Sequence, residues 1–165
     1  MKKGVLSILL LFLTLLSCGC QREEASPEQR FLTLLSCLNA EERTAVYSGQ
    51  DGADKRREGL ERIYRREDAF EVFSSVESYG IALSRRGDGY EIHMLLSRHP
   101  SDDETVKGVL RGRMELIQRT DVEGYLGEEY AERIASARIY TRGRYHFLLV
   151  TEDNLRAMKE IDGIF

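Results

Sequence analysis

Tyr79-Gly80-Ile81-Ala82-Leu83, then Arg86-Gly87-Asp88-Gly89, then Tyr90-Glu91-Ile92-His93-Met94-Leu95-Leu96: the reading of this run decides the fold. Side chains alternate in the first piece, and in the third Tyr90, Ile92, Met94 and Leu96 recur at every second position, lining one face of a strand. Between them lies a glycine-rich turn. A period of two on both sides of such a turn predicts a β-hairpin. Pro100 ends the return strand, and Ser101-Asp102-Asp103-Glu104 reads as a capping box. It opens a long helix with Val106, Val109, Leu110, Met114 and Ile117 as its buried stripe.

Further along, a polar turn from Thr120 to Gly127 leads to a shorter helix marked by Tyr130 and Ile134. Ala137 to Arg142 and Tyr145 to Val150 predict a second hairpin, closed at Gly143, where glycine takes a positive φ without steric cost. Phe147 to Val150 is apolar on both faces, which places that strand inside the sheet. Thr151 is the expected N-cap of a last helix, with Leu155, Met158 and Ile161 facing inward.

Towards the N-terminus, Ser26-Pro27-Glu28-Gln29 predicts a helix start: Ser26 caps, Pro27 takes the first helical position and Gln29 closes the box. Phe31, Leu34, Leu35 and Leu38 follow as one apolar stripe. From Asn39 to Glu67 charge dominates. Ser48 to Asp54 reads as a loop, and Leu60, Ile63 and Tyr64 as the inner side of a short helix. Lys55-Arg56-Arg57 and Arg65-Arg66 suit contact with an anionic wall polymer or lipid headgroup, although a solvated face is the commoner role for such runs. Phe70, Val72 and Val76 fit a first strand, with a helix as the alternative. Together these elements predict an α+β fold: an antiparallel sheet built from two hairpins, with helices packed on one face.

The first twenty residues carry an address. Lys2 and Lys3 precede a run from Val5 to Leu16 that is almost wholly apolar, the layout of an export signal. It is too short for a stable span, which needs about 20 residues. Leu15-Leu16-Ser17-Cys18 resembles a lipobox, the processing site of bacterial lipoprotein precursors, in which the cysteine thiol takes a diacylglycerol and becomes the new N-terminus. Cys18 is the expected lipidated residue and Cys20 the alternative. Residues 1–17 are then a signal peptide, 18–26 a lipidated tether, and 27–165 one α+β domain. The expected location is the extracytoplasmic face of the cell membrane, held by acyl chains that contribute about 0.8 kcal/mol per buried methylene.

Loss of residues 1–17 removes two lysines and no acid, leaving 22 basic and 28 acidic side chains, a net charge of −6. That balance disfavours nucleic acid as a partner. It also assigns membrane contact to the lipid rather than to a basic face. Of the remaining thiols, Cys20 and Cys37 can pair in an exported chain. A tether position for Cys20 opposes this, and a small buried thiol is the simpler role for Cys37. Phe12-Leu13-Thr14-Leu15-Leu16-Ser17-Cys18 recurs letter for letter as residues 31–37. The second copy follows an acidic, proline-containing stretch and cannot serve as a lipobox.

Signatures of chemistry are few. The chain has no Gly-rich phosphate loop, Cys-x-x-Cys, His-Glu-x-x-His or Gly-x-Ser-x-Gly. His99-Pro100-Ser101-Asp102 holds triad residue types, but as sequence neighbours at a strand-to-helix turn, whereas a triad converges from separate elements. His93 and His146 lie on predicted strands, and a shared face would make them weak candidates for a metal site, with no metal otherwise expected. Tyr125, Tyr130, Tyr140 and Tyr145 crowd the C-terminal third and can frame a binding face, although cross-strand packing is the commoner use of such tyrosines.

From about Tyr90 to Ile161 the chain resembles a family of small Gram-positive lipoproteins of clostridial type, known as a domain of unknown function. The likeness rests on a strand, a helix with a Val/Leu stripe, Glu123-Gly124-Tyr125 followed by Glu128-Glu129-Tyr130, the Gly143-Arg144-Tyr145 step, and Thr151-Glu152-Asp153 before the last helix. It implies no catalytic residues. The functional expectation is a non-enzymatic binding or interaction module of the cell envelope, with another envelope protein, a wall polymer or a small ligand as partner and no cofactor beyond the covalent diacylglycerol. The alternative is a surface-tethered hydrolase or metal-dependent enzyme.

Overall fold

The computed structural model describes residues 24–49, 53–66, 68–120 and 128–165, with the side chains of 53–55 and 70 left aside. In order, the elements are α1 (Pro27–Cys37), β1 (Thr44–Ser48), α2 (Ala53–Tyr64), a helical turn at Ala69–Val72 running into a 3-10 turn at Phe73–Ser75, and β2 (Val76–Ser84). They continue with β3 (Glu91–Ser97), a 3-10 turn at Pro100–Asp102, α3 (Asp103–Thr120), α4 (Glu128–Ala135), β4 (Arg138–Arg142), β5 (Tyr145–Val150) and α5 (Asn154–Ile164). The five strands form one antiparallel sheet in the order β1-β2-β3-β5-β4.

Both predicted hairpins are present. Ile81 stands opposite His93 in β2–β3, and Tyr140 opposite Phe147 in β4–β5. Gly87, Gly89 and Gly143 take positive φ at the two turns. Phe147 to Val150 are fully buried between β3 and β4, as expected of an interior strand. Ser26 caps α1 with a complete box: its hydroxyl accepts from the Gln29 N–H at 3.2 Å, and Gln29 Oε1 accepts from the Ser26 N–H at 2.9 Å. The segment with two open readings divides between them, since Val72 ends a helical turn and Val76 begins β2.

The fold is α+β, and its helices cover both faces of the sheet rather than one. On one side α2, α3 and α4 pack over Tyr79, Ile81, Leu95, Leu148 and Val150. On the other, α1 and α5 pack over Ala82, Ile92, Met94, Phe147 and Leu149. Gly80 shows how close the second layer sits: a Cβ there would stand 2.6 Å from Cγ of Phe31. Alternating residues of each central strand therefore serve different cores, and all seven residues of β3 are buried.

Other local differences have simple causes. β1, read as part of a charged stretch, is a short edge strand paired with Ala82 and its neighbours, and Val46 remains 41% exposed. The box before α3 lies two residues earlier than expected, with Asp102 accepting from the His99 N–H at 3.0 Å and a 3-10 turn inserted ahead of Asp103. Glu104 instead pairs with Lys107 and Arg111. Asp153, not Thr151, caps α5 by accepting from the Arg156 N–H at 2.9 Å. This shift turns Leu155 to solvent, 71% exposed, and buries Ala157 with Ile161.

Candidate functional site

β2 enters the sheet beneath two cavities that adjoin at Tyr79 and Glu28. One, of 420 Å³, lies between α1 and β1, with Phe31, Leu32 and Val46 on its walls and Ser26 on its rim. The other, of 320 Å³, lies over Leu60, Phe73 and Val76, and Arg56 and Arg98 border it. Local chemistry explains the shape. Gly80 lets Phe31 approach the sheet, while Phe73 stacks edge-on against Tyr79 at 5.2 Å and forms the opposite wall. Leu32 is 49% exposed, an unusual state for a large apolar side chain beside another exposed one.

Polar and charged side chains make up about half of the lining of this cleft, and several are held by named partners. Ser78 donates to Glu28 at 2.5 Å, and Glu77 is paired with Arg144 at 2.9 Å. Arg56 donates a long bond to the Gly49 carbonyl at 3.3 Å, and its buried Nε has no hydrogen-bond partner among the described residues. Arg98 donates to the Ser74 and Val76 carbonyls. Apolar walls combined with placed polar groups are the usual make-up of a ligand site, and here the polar share is large.

His93 and His146 do share a sheet face, opposite Leu148 and Leu95 respectively, yet each is consumed by its own partners. His93 is fully buried. Its Nε2–H donates to Glu91 at 3.0 Å, so its Nδ1 accepts from the Tyr64 hydroxyl at 2.8 Å. Glu91 is gripped on its other side by both Nε and Nη2 of Arg113, and Arg113 Nη1 donates to the Ile63 carbonyl. This chain of four ties α2, β3 and α3 together inside the core. Among the described residues no group of three His, Cys, Asp or Glu is placed to hold a metal ion.

His146, also fully buried, donates from Nε2 to Asp103 at 3.1 Å and faces Thr141 Oγ1 at 3.2 Å through Nδ1. Ser97 donates to the same carboxylate at 2.5 Å. Thr141, His146 and Asp103 thus stand in the order of a nucleophile, base and orienting acid. Thr141 lies on the outer strand β4 and lines neither half of the cleft. His99 and Ser101 are exposed at their turn.

Comparison with protein-family models, with curated proteins and with solved structures finds no match to this chain. The site therefore rests on its own geometry.

The remaining sequence candidates fall in different places. Cys18, Cys20 and Tyr125 lie outside the described residues, as do the signal segment and any pairing of Cys20 with Cys37. Cys37 is half-buried, and its carbonyl accepts from Arg156 at 2.6 Å. Tyr130 is buried in the layer of α2, α3 and α4, whereas Tyr140 and Tyr145 pack on the opposite side of the sheet, so these three frame no common face. Tyr140 donates to Asp162 at 2.7 Å, and Tyr145 stacks on Phe165 at 4.7 Å. Sequence reading also passes over Arg133, a buried cation held by Asp88, Glu129 and Glu152, and over Arg43, which pairs with Glu152 above the Tyr90 ring.

Burial lowers the pKa of both His93 and His146 from the ordinary 6.5. Burial by itself would raise Glu91, but the bonds from His93 and Arg113 hold it below the usual carboxylate range. Asp103 is lowered by the Ser97 hydroxyl and by His146. Every one of these groups binds protons more readily when unfolded, so stability is full above about pH 6.5 and declines as the pH falls through that value, then further in the carboxylate range. Urea unfolding between about pH 7.5 and 5 is expected to show a stability that is nearly flat above about pH 6.5 and falls more steeply below it, towards a limit of about 1.4 kcal/mol per pH unit for each histidine that charges on unfolding. His93→Gln is expected to flatten that slope, and an unchanged slope would remove His93 from this account.

Proposed function

We propose that the chain is a lipid-anchored extracytoplasmic protein whose domain is a non-enzymatic binding module of the cell envelope, with its ligand seated in the cleft along β2. The observation that carries this reading is the pair of adjoining cavities sharing Tyr79 and Glu28, one with an apolar wall of Phe31, Leu32 and Val46 and one bordered by arginines. Leu15-Leu16-Ser17-Cys18 supports the anchor, and the likeness of residues 90–161 to small clostridial-type lipoproteins supports the same setting. Ser26 lies on the cleft rim, eight residues after Cys18, a distance of at most about 28 Å even in a fully extended chain. The cleft then works close to the bilayer.

Among the described residues no helix is long and apolar enough to cross a membrane. Attachment in this reading falls to the acyl chains. In a bacterial host that processes lipoproteins, detergent phase partitioning of the full chain tests it directly. The native protein is expected in the detergent phase and Cys18→Ala in the aqueous phase. A shift caused by Cys20→Ala instead moves the lipid to Cys20, and a protein that stays put in both variants removes the anchor.

A second reading, a tethered hydrolase, has the Thr141, His146 and Asp103 alignment in its favour. It requires hydrolysis of a model ester that Thr141→Ala abolishes. Activity that survives this change speaks against that alignment.

A further inference from the structure

The cleft has one half built for hydrocarbon and one half rimmed by positive charge. Arg56 and Arg98 are bonded to main-chain carbonyls, which are neutral, and no ion pair with a carboxylate is found for either among the described residues. Of the two carboxylates in the same half, Glu77 is neutralised by Arg144. Glu28 remains, held by a hydroxyl. Among the described residues, Arg56, Arg98 and Arg144 stand here against Glu28 and Glu77, one positive charge in excess on a domain whose mature form carries −6. Guanidinium groups match phosphate oxygens in planar, two-pronged fashion and are weakly hydrated, so they suit a partly dry site.

Beyond Tyr79 one wall is apolar, with Leu32 and Val46 exposed at 49% and 41%, and Ser26, Glu28, Gln29 and Ser48 line the rest. A small hydrophilic anion would leave that half unused, whereas an amphiphile fills both. We propose that the cleft holds an anionic phospholipid, its phosphate on Arg56 and Arg98 and an acyl chain lying across Tyr79 against Phe31, Leu32 and Val46. The inference rests on the binding-module reading of the same cleft and gives its ligand a chemical class. A lipid drawn from the leaflet in which the protein is anchored is within reach of the short tether.

Native mass spectrometry of the full chain in neutral detergent, with phosphatidylglycerol or phosphatidylcholine added at equal concentration, tests the assignment. Phosphatidylglycerol is expected to be retained on the order of tenfold better, because phosphatidylcholine, with the same phosphate, also brings its choline cation against the two guanidiniums. Arg56→Gln with Arg98→Gln is expected to bring it down to the phosphatidylcholine level at an unchanged unfolding midpoint. Should the double variant unfold, Arg98→Gln alone, at an exposed residue, carries the same expectation in direction. Equal retention of the two lipids, or a preference that survives loss of both arginines, overturns the proposal. Inorganic phosphate that binds as well as phosphatidylglycerol reassigns the site to a soluble anion and overturns it as well. Cys18→Ala is expected to leave retention unchanged, so failure of the anchor and failure of the lipid site register separately.

Discussion

Arg113→Ala is expected to destabilise the protein by about 3–5 kcal/mol, the cost of leaving one partner of a buried ion pair behind. Glu91 sits in the sheet interior with both oxygens engaged by Arg113, and only His93 would remain to hold it. Loss of the guanidinium also frees the Ile63 carbonyl at the end of α2. The desolvated carboxylate, not the absent contact, dominates the loss. Replacing Glu91 and Arg113 together with apolar residues is therefore expected to cost much less than Arg113→Ala, because no unpaired charge stays inside. Urea denaturation of the single and double variants measures both. A single variant within about 1 kcal/mol of the native protein would show that the network contributes little.

Phe31→Ala is expected to cost a similar amount, about 3–5 kcal/mol, since the ring is 1% exposed and fills the space over β2. Gly80→Ala attacks the same contact from the strand side and is expected to cost about 1–3 kcal/mol through overpacking. The two are neighbours and must couple: with the ring removed, the added methyl finds room, so the double variant is expected to lose less than the sum. Strict additivity in the double-mutant cycle would contradict the packing of α1 on Gly80. The cycle also reports on the cleft, because Phe31 and Gly80 both line its apolar half.

Much of the fold is legible in the chain because it depends on near neighbours. The two hairpins follow from a period of two around glycine turns, α1 from its capping box, and α3 from a stripe whose Val106, Val109, Leu110 and Ile117 are all buried. What escapes is set by distant partners. Glu91 and His93 alternate with Ile92 and Met94 as though they faced water, yet they lie inside a second core. Glu91 is neutralised there by Arg113, 22 residues later in the chain, and His93 accepts from Tyr64, 29 residues earlier. A polar residue on a strand states that it needs a partner, not that the partner is solvent. For this reason α+β is readable while the second helical layer is not.

The cleft is hidden for a related reason. Its arginines sit in a stretch whose composition suits a solvated face, and only the fold brings Arg56 beside Arg98, 42 residues away, over Phe73 and Tyr79. β1 was concealed by charged neighbours, although Thr44-Ala45-Val46-Tyr47 carries the β-branched and aromatic types that strands favour. The caps of α3 and α5 moved because each helix start offers two candidate acceptors within a few residues, Asp102 and Glu104 at α3 and Thr151 and Asp153 at α5, and local geometry chooses between them.

The sheet is the common wall of two oily compartments, one roofed by three helices and the other by two. Stripping either roof wets the backs of β2, β3 and β5 and withdraws support from the opposite room. Melting is therefore expected to be shared, with neither compartment outliving the other.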